Sequence, residues 1–331
     1  MRNIQQGDAM NKKISIVIPA YNEGLTLPKL VAEISQAFIV LGMDYEIIVI
    51  DDGSEDETWS VLKSCFIKCN QLKCIRFTRN FGKEAAIYAG LKISSGEAVI
   101  VMDADLQHPP TILPEMIRAW DSAKVQLVEA VKEKRQKESP MRAFGSYLFY
   151  NYFMRATGLD LRNSSDYKLL DRQLVERYLN LPENIRFFRG LAKWFGYSSY
   201  IIKYSPPERF GKENKSRWTI RGLFDLARSS LISFTSLPIR IITWFGVATF
   251  FVSVVLGFHT LWMKLSGSAV EGFTTVILVT LGVGSVIMIS MGLIGEYIAH
   301  IYEEIKHRPL YVIEEHLDGA GSKNSRIQGV E

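Results

Sequence analysis

Residues 241–263 and 272–295 carry no Asp, Glu, Lys or Arg, and nothing else in the chain limits its fold so strongly. A helix rises about 1.5 Å per residue, so either stretch can cross a hydrocarbon layer roughly 30 Å thick. The alternative is a helical hairpin buried in a water-soluble core, yet few such helices stay uncharged on every face for this length. Two transmembrane helices within 238–298 are therefore expected. Short loops rich in Lys and Arg tend to stay cytoplasmic. Lys203, Arg209, Lys212, Lys215, Arg217, Arg221, Arg228 and Arg240 precede the first span, Lys306 and Arg308 follow the second, and Lys264 alone borders the connection. Both termini are expected to be cytoplasmic.

The rest of the chain has to fold in water. Of its 331 residues 47% are hydrophobic, enough to bury a full core. The start MRNIQQGDAMNKK lacks the apolar run of a signal peptide, and 1–11 reads as an extension before the first strand. Cys65, Cys69 and Cys74 are odd in number with no His at metal-ligand spacing, so reduced thiols in ordinary packing are expected. The net charge of +4 is modest. Its local excess lies beside the membrane spans, which favours anionic lipid or a phosphate ligand over nucleic acid.

From 14 to 110, apolar runs alternate with helical patterns: ISIVIPA, a helix from about Thr26, EIIVIDD, a helix from about Glu55, KCIRFTRN, a helix over 83–93, and EAVIVMDAD. Such βαβ units give an α/β fold class with a Rossmann-like, mainly parallel sheet, and the runs are continuous because helices cover both faces. Helices are expected near 142–157 and 170–181, a strand at YSSYIIKYS, and a basic loop at PPERFGKENKSRW. Ile220, Leu223, Phe224, Ala227 and Leu231 lie at helical spacing opposite Arg221, Asp225 and Arg228, which suits an interfacial amphipathic helix over 218–237. The expected order is a soluble domain at 12–217, that helix, the two spans and a C-terminal tail at 299–331.

In open α/β sheets ligands bind beyond the carboxyl ends of the strands. These strands end in PAYNE, DDGSEDE, TRNFGKE and DADLQH, so four polar clusters should converge on one crevice. If 101–107 stays extended, Asp103, Asp105 and Gln107 share a face. Hard oxygens of this kind suit Mg²⁺ or Mn²⁺, which sit on one or two carboxylates together with substrate phosphates. Arg79 and Lys83 border a helix start, where free N–H groups and a cation can receive phosphate; either can equally be a surface cation.

The ordered set P-A-Y-N-E at 19–23, D-D-G-S at 51–54 and D-A-D-L-Q-H-P-P at 103–110 resembles the family-2 glycosyltransferases of GT-A type. Within them the chain is similar to the polyprenyl-phosphate glycosyltransferases, which include bacterial undecaprenyl-phosphate glucosyltransferases and dolichyl-phosphate mannose synthases. The resemblance implies a metal-dependent, inverting hexosyltransferase at the cytoplasmic face of a bacterial-type inner or plasma membrane. The donor would be UDP-glucose and the acceptor a polyprenyl phosphate; GDP-mannose, UDP-GlcNAc or an aminoarabinose nucleotide would use the same clusters, and a non-catalytic nucleotide-sugar-binding scaffold is the reading from another class. Pro19, Tyr21 and Glu23 would hold the nucleoside, with Asp52 or Asp51 accepting from the uracil edge, while Ser54 also suits a helix cap. Arg79, Lys83, Asp103 and Ala104 would line the nucleotide-sugar. Asp103 would meet ribose or metal, Asp105 and Gln107 the metal, and Asp105 thereby joins Asp166 as a catalytic residue.

Asp166, in DLRNSSDYKLLDR, matches the family's aspartate near the acceptor, as general base or as orienter. A phosphate monoester with its second pKa near 6 is largely dianionic at pH 7, which favours orientation. Arg209 and Lys215, with Arg142, are the candidate acceptor-phosphate cations. The family's G-x-S-K-aromatic pattern is altered here to GKENKSRW, so either Lys215 or Arg217 is the basic member. RGLAKW at 189–194 resembles the Q-x-x-R-W tract of processive synthases without its glutamine and arginine; a polymer channel is disfavoured and Trp194 is expected in the core. Gly282, Gly284, Gly292 and Gly295 would permit close helix contact in a homo-oligomer.

Overall fold

The run ISIVIPA becomes strand β1 (Ile14–Ala20), with Ile14, Ile16, Val17 and Ile18 wholly buried. The computed structural model describes residues 12–133, 164–184, 186–207, 237–266 and 272–319, and some positions between 151 and 159. After β1 come α1 (Leu27–Leu41), β2 (Tyr45–Asp51), α2 (Thr58–Lys68), β3 (Leu72–Phe77), α3 (Lys83–Ile93) and β4 (Ala98–Val101). A 3₁₀ turn leads into α4 (Leu113–Ala123), then β5 (Leu127–Lys132), β6 (Lys168–Asp171), α5 (Arg172–Leu179), α6 (Phe188–Trp194) and β7 (Ser199–Tyr204). Two long helices, α7 (Leu237–Leu265) and α8 (Phe273–Ile305), precede β8 (Ile313–Leu317).

The eight strands lie in the order β7-β5-β6-β4-β1-β2-β3-β8. The centre, β4-β1-β2-β3, is parallel, and α1 turns Leu27, Leu30, Val31, Ile34 and Phe38 inward at helical spacing. Helix α3 approaches β1 so closely that a Cβ at Gly90 would lie 2.3 Å from a Val17 methyl carbon. β6 runs antiparallel between β4 and β5, while β5 and β7 pair in parallel. Strand β8 lies within the stretch read as a C-terminal tail. Residues 313–317 add antiparallel to β3, with Arg76 against Glu314, Lys63 against Glu315, and Tyr311 stacked on Phe77. An otherwise open edge of β3 is closed this way.

The chain divides into two compact units. One holds the sheet and its helices, the other α7 and α8. Ile242–Leu265 and Gly282–Ile305 are long and apolar enough to cross a membrane, and their side chains are not buried within the chain. Trp244, Phe251, Phe258, Trp262 and Met288 are among those exposed; apolar surface on this scale needs lipid or protein to cover it. The expected interfacial helix at 218–237 and the helix near 142–157 fall largely or wholly outside the described residues.

At the edge of the sheet opposite the strand ends of interest, Glu46 is buried, accepting from the Ser15 hydroxyl at 2.5 Å and the Ser95 N–H at 2.6 Å, with the Lys13 and Lys73 ammonium groups 3.1 and 3.2 Å away. Burial alone would raise its pKa, but these donors and Lys13 outweigh it and hold the carboxyl at about 2. A depressed carboxyl stabilises the fold above its unfolded pKa and loses that contribution as pH falls through the folded value. Glu46→Gln should therefore be less stable than wild type near pH 7, by an amount of the order of 3 kcal/mol from the size of the depression. The gap should narrow between about pH 5 and pH 2, read from paired melting curves.

Candidate active site

The polar clusters meet because of strand direction. β1 to β4 end at one edge of the sheet, and antiparallel β6 begins there, with Lys168 paired to Val101. Asp103, two residues past Val101, is thus brought beside Asp166, two residues before Lys168. β5 runs with β4, so its last residue, Lys132, reaches the same edge.

The first two clusters are stitched to each other. Asn22 adopts a left-handed backbone (φ +56°), which its short polar side chain tolerates, and its amide oxygen accepts from the Glu55 and Asp56 N–H groups. The Asn22 N–H donates to Ser54 Oγ and that of Glu23 to Thr58 Oγ1. Pro19, Tyr21 and Glu23 are half-buried along this seam. Ser54 therefore serves the turn and does not cap α2, whose N-cap is Glu57, and Asn22 is the member sequence reasoning passed over.

Asp51 and Asp52 are both buried. Asp51 Oδ1 accepts from the Ser54 N–H at 3.0 Å, and its Oδ2 lies 3.6 Å from Arg76 Nε. Asp52 accepts from the Phe81 and Gly82 N–H groups at 2.7 and 2.9 Å, tying the second cluster to the third. Burial raises both pKa values, against these hydrogen bonds. Arg79 is exposed, its guanidinium 4.0 Å from the centre of the Phe81 ring. Between them sits Gly53 at φ +66°, where a Cβ would lie 2.4 Å from the Arg79 carbonyl carbon. Gly53→Ala combines left-handed strain of about 1 kcal/mol or more with a backbone clash, so it should lower the melting temperature relative to wild type, read from paired melting curves.

The fourth cluster carries most of the charge. Leu106 takes φ +62° as the chain turns, and Asp105 Oδ1 accepts from the Gln107 N–H at 3.0 Å. Gln107 Oε1 accepts from Lys132 at 3.0 Å. Ala104 is buried beneath. His108 is also buried; its Nδ1 accepts from the Asp103 N–H at 2.9 Å while its ring stacks on Tyr167. Burial lowers the His108 pKa, as fits a neutral imidazole serving as acceptor.

Lys83 joins the two aspartates. Its ammonium lies 2.5 Å from Asp103 Oδ1 and 2.7 Å from Asp166 Oδ2. Arg189 grips Asp166 from the other side, Nε to Oδ1 at 3.0 Å and an Nη to Oδ2 at 2.9 Å, a bidentate pairing. Burial works to raise both carboxyl pKa values, but Lys83 at Asp103, and Lys83 with Arg189 at Asp166, more than reverse it; Asp166 is held well below the usual range. Arg189 and Lys132 are therefore the cations that sequence reasoning missed, while Arg142, Arg209, Lys215 and Arg217 lie outside the described residues. Trp194, expected in the core, is 56% exposed at the last turn of α6.

Among the described residues no cluster of three or more His, Cys, Asp and Glu side chains has metal-binding geometry. The donor set is instead two carboxylates and an amide oxygen, with lysine ammonium groups already meeting Asp103 and Gln107. Oxygens that attract cations at a strand end fit a hard divalent ion that takes one or two carboxylates and completes its shell with water and phosphate.

Residues 15–179 match Glycosyl transferase family 2, and 237–301 match the GtrB C-terminal hairpin. The chain is 39% identical over 304 residues to a putative glycosyltransferase, CsbB, of Bacillus subtilis, covering 91% of each. It is 32% identical over 308 residues to the bactoprenol glucosyl transferase of Shigella phage SfV, covering 91% of this chain and 98% of that one. Its fold is similar to that of glucosyl-3-phosphoglycerate synthase from Mycobacterium tuberculosis, crystallised with Mn²⁺, uridine diphosphate and phosphoglyceric acid. That likeness has a TM-score of 0.51 at 20% identity over 67% of this chain and 76% of the other, and it establishes the GT-A fold.

Proposed function

The chain belongs to glycosyltransferase family 2, and on that premise we propose that it moves glucose from UDP-glucose to a polyprenyl phosphate with inversion at the anomeric carbon. The observation that carries this reading is the pairing of a GT-A site with a GtrB-type hairpin in one chain, at 32% identity to a bactoprenol glucosyl transferase. Glycosyl transfer follows from the family; the sugar, the nucleotide, inversion and the cytoplasmic placement of the domain are our reading.

In it, Tyr21 and the half-buried seam beside it receive the uracil face, and Asp52 or Asp51 uses its remaining lone pairs for the ring N–H. Asp103, Asp105 and Gln107 would hold Mg²⁺ or Mn²⁺, which supplies Lewis-acid neutralisation of the departing diphosphate. Lys83 stands between donor and acceptor sides, adding positive charge where the leaving group forms. Asp166, fixed by Lys83 and Arg189, orients the acceptor phosphate, whose dianion attacks the anomeric carbon from the face opposite the diphosphate. Attack in line turns an α-linked donor into a β-linked product. Arg142, Arg209, Lys215 and Arg217 remain the candidate cations for the acceptor phosphate. Holding lipid and enzyme in one membrane raises their encounter frequency, a proximity effect. Homo-oligomerisation is a further proposal: a Cβ added at Gly282, Gly284, Gly292 or Gly295 would meet nothing within 4 Å in its own chain.

Full-length protein in nanodiscs, given undecaprenyl phosphate, a divalent ion and radiolabelled UDP-glucose, UDP-GlcNAc, GDP-mannose or an aminoarabinose nucleotide in turn, should form glycolipid fastest with UDP-glucose. Preference for another donor would replace the sugar in this reading. Nucleotide-sugar binding without glycolipid in any mixture would make the chain a scaffold.

A further inference from the structure

We propose that Glu84 is a positioning residue for the transfer reaction: by accepting from the Phe188 backbone N–H it sets helix α6 so that Arg189 clamps Asp166. The inference rests on the functional reading above and adds a residue to it. Two adjacent residues on α3 meet the same structure from two sides. Lys83 reaches Asp166 directly. Glu84, the next residue, accepts from Phe188 N at 2.8 Å, and Phe188 is immediately followed by Arg189, whose guanidinium makes both bonds to Asp166.

Helix α6 spans only Phe188–Trp194, too short to hold its own orientation in water. What fixes it is the packing of Phe188 and Leu191 and a carboxylate at each end. At the far end the Lys193 ammonium lies 3.2 Å from buried Glu129, which is itself 2.6 Å from buried Lys168 on β6. At the near end Glu84 satisfies one of the N–H groups that a helix leaves without internal partners. The α6 backbone is thus tied to α3 beside Lys83 and to the sheet beside Asp166, and Arg189 projects between the ties.

A purely stabilising role fits Glu84 poorly. Burial, and then repulsion from Asp166, push its carboxyl up to about 7 despite the Phe188 N–H, Lys83 and Arg189. An acid whose folded pKa is raised loses stability for the fold as pH rises from the unfolded value through the folded one. At pH 8 the ionised group costs stability, and the bond it accepts lies next to the residue that clamps Asp166.

The test is steady-state transfer by the full chain in nanodiscs, with Glu84→Leu removing the acceptor at similar volume, Glu84→Asp withdrawing it by one methylene, and Glu84→Gln keeping an acceptor oxygen. Misplacing a reacting group by about 1 Å costs roughly a hundredfold. The leucine and aspartate variants should lose roughly ten- to a hundredfold in kcat with KM for the donor within about twofold, and the glutamine variant should stay within about threefold of wild type. In an Arg189→Ala background Glu84→Leu should cause no further loss, since residues acting through one another are not additive. Losses that multiply, a glutamine variant as impaired as leucine, or full activity in both leucine and aspartate variants would each overturn the proposal. If leucine prevents folding, the aspartate variant carries the same comparison. A wild-type chain inactive with every donor would instead sink the functional reading itself.

Discussion

Asp105→Ala is expected to lower glycolipid formation at least roughly a thousandfold, because the divalent ion proposed for this site would supply several kcal/mol of transition-state stabilisation and each 1.4 kcal/mol is a factor of ten. The fold should survive. Asp105 is only half-buried, and the side-chain bond it loses is the one from the Gln107 N–H, worth about 1 kcal/mol. Its neighbours are independently held, Asp103 through the Lys83 ion pair and His108, and Gln107 through Lys132. A chemical defect without a folding defect is therefore the specific expectation, checked by transfer rate beside melting temperature. Excess chelator should reduce wild type to a similar rate and leave the variant unchanged, while titration with Mn²⁺ followed by electron paramagnetic resonance should show weakened binding. Full activity in the variant, or in chelator, would remove the ion from the reaction.

The fold and the site differ in how plainly the sequence announces them. β1 to β4 were legible because each is a continuous apolar run followed by a helical period, and α3 spans the expected 83–93. β5 left no such mark: LVEAVK carries Glu129 and Lys132, and Glu129 is buried only because Lys168 and Lys193 come to meet it from β6 and α6. β8 is an edge strand, IEEHL, whose acidic residues look like a solvated tail until Arg76 and Lys63 are placed opposite them.

The same limit applies at the active site. Asp103, Asp105 and Gln107 follow one strand in sequence, but the shared face expected of an extended 101–107 does not form, since β4 ends at Val101 and the chain turns at Leu106 (φ +62°). The partnership of Arg189 with Asp166 joins residues 23 apart in the chain, and no periodicity links a basic residue in the first turn of a short helix to an acid before a short strand. Lys83 shows a middle case. Its place at a helix start was visible, but its bridge between the Asp103 and Asp166 carboxylates depends on β6 running antiparallel to β4, which pattern alone does not reveal.

Asp166→Asn should cut transfer by roughly a hundredfold or more, and the shape of its pH profile decides what Asp166 does. In wild type its carboxyl lies well below the ordinary range because Lys83 and Arg189 outweigh its burial. Such a group stays ionised throughout the neutral range and is a weak proton acceptor there, since effective bases have pKa values near the working pH. A lipid phosphate, half-converted to its dianion near pH 6, has little proton left to give. The asparagine variant keeps the shape but not the charge, leaving Lys83 and Arg189 with one fewer carboxylate between them and the acceptor misoriented. If orientation is the role, the ratio of wild-type to variant rate, both measured in a Glu84→Gln background so that the neighbouring carboxyl held up at about 7 does not titrate, should stay level from about pH 6 to pH 8, because neither the Asp166 carboxylate nor the amide titrates in that window. A base role predicts the opposite slope: the variant should recover as rising pH deprotonates the acceptor without help, and a ratio that falls steadily across that range would return Asp166 to general-base duty.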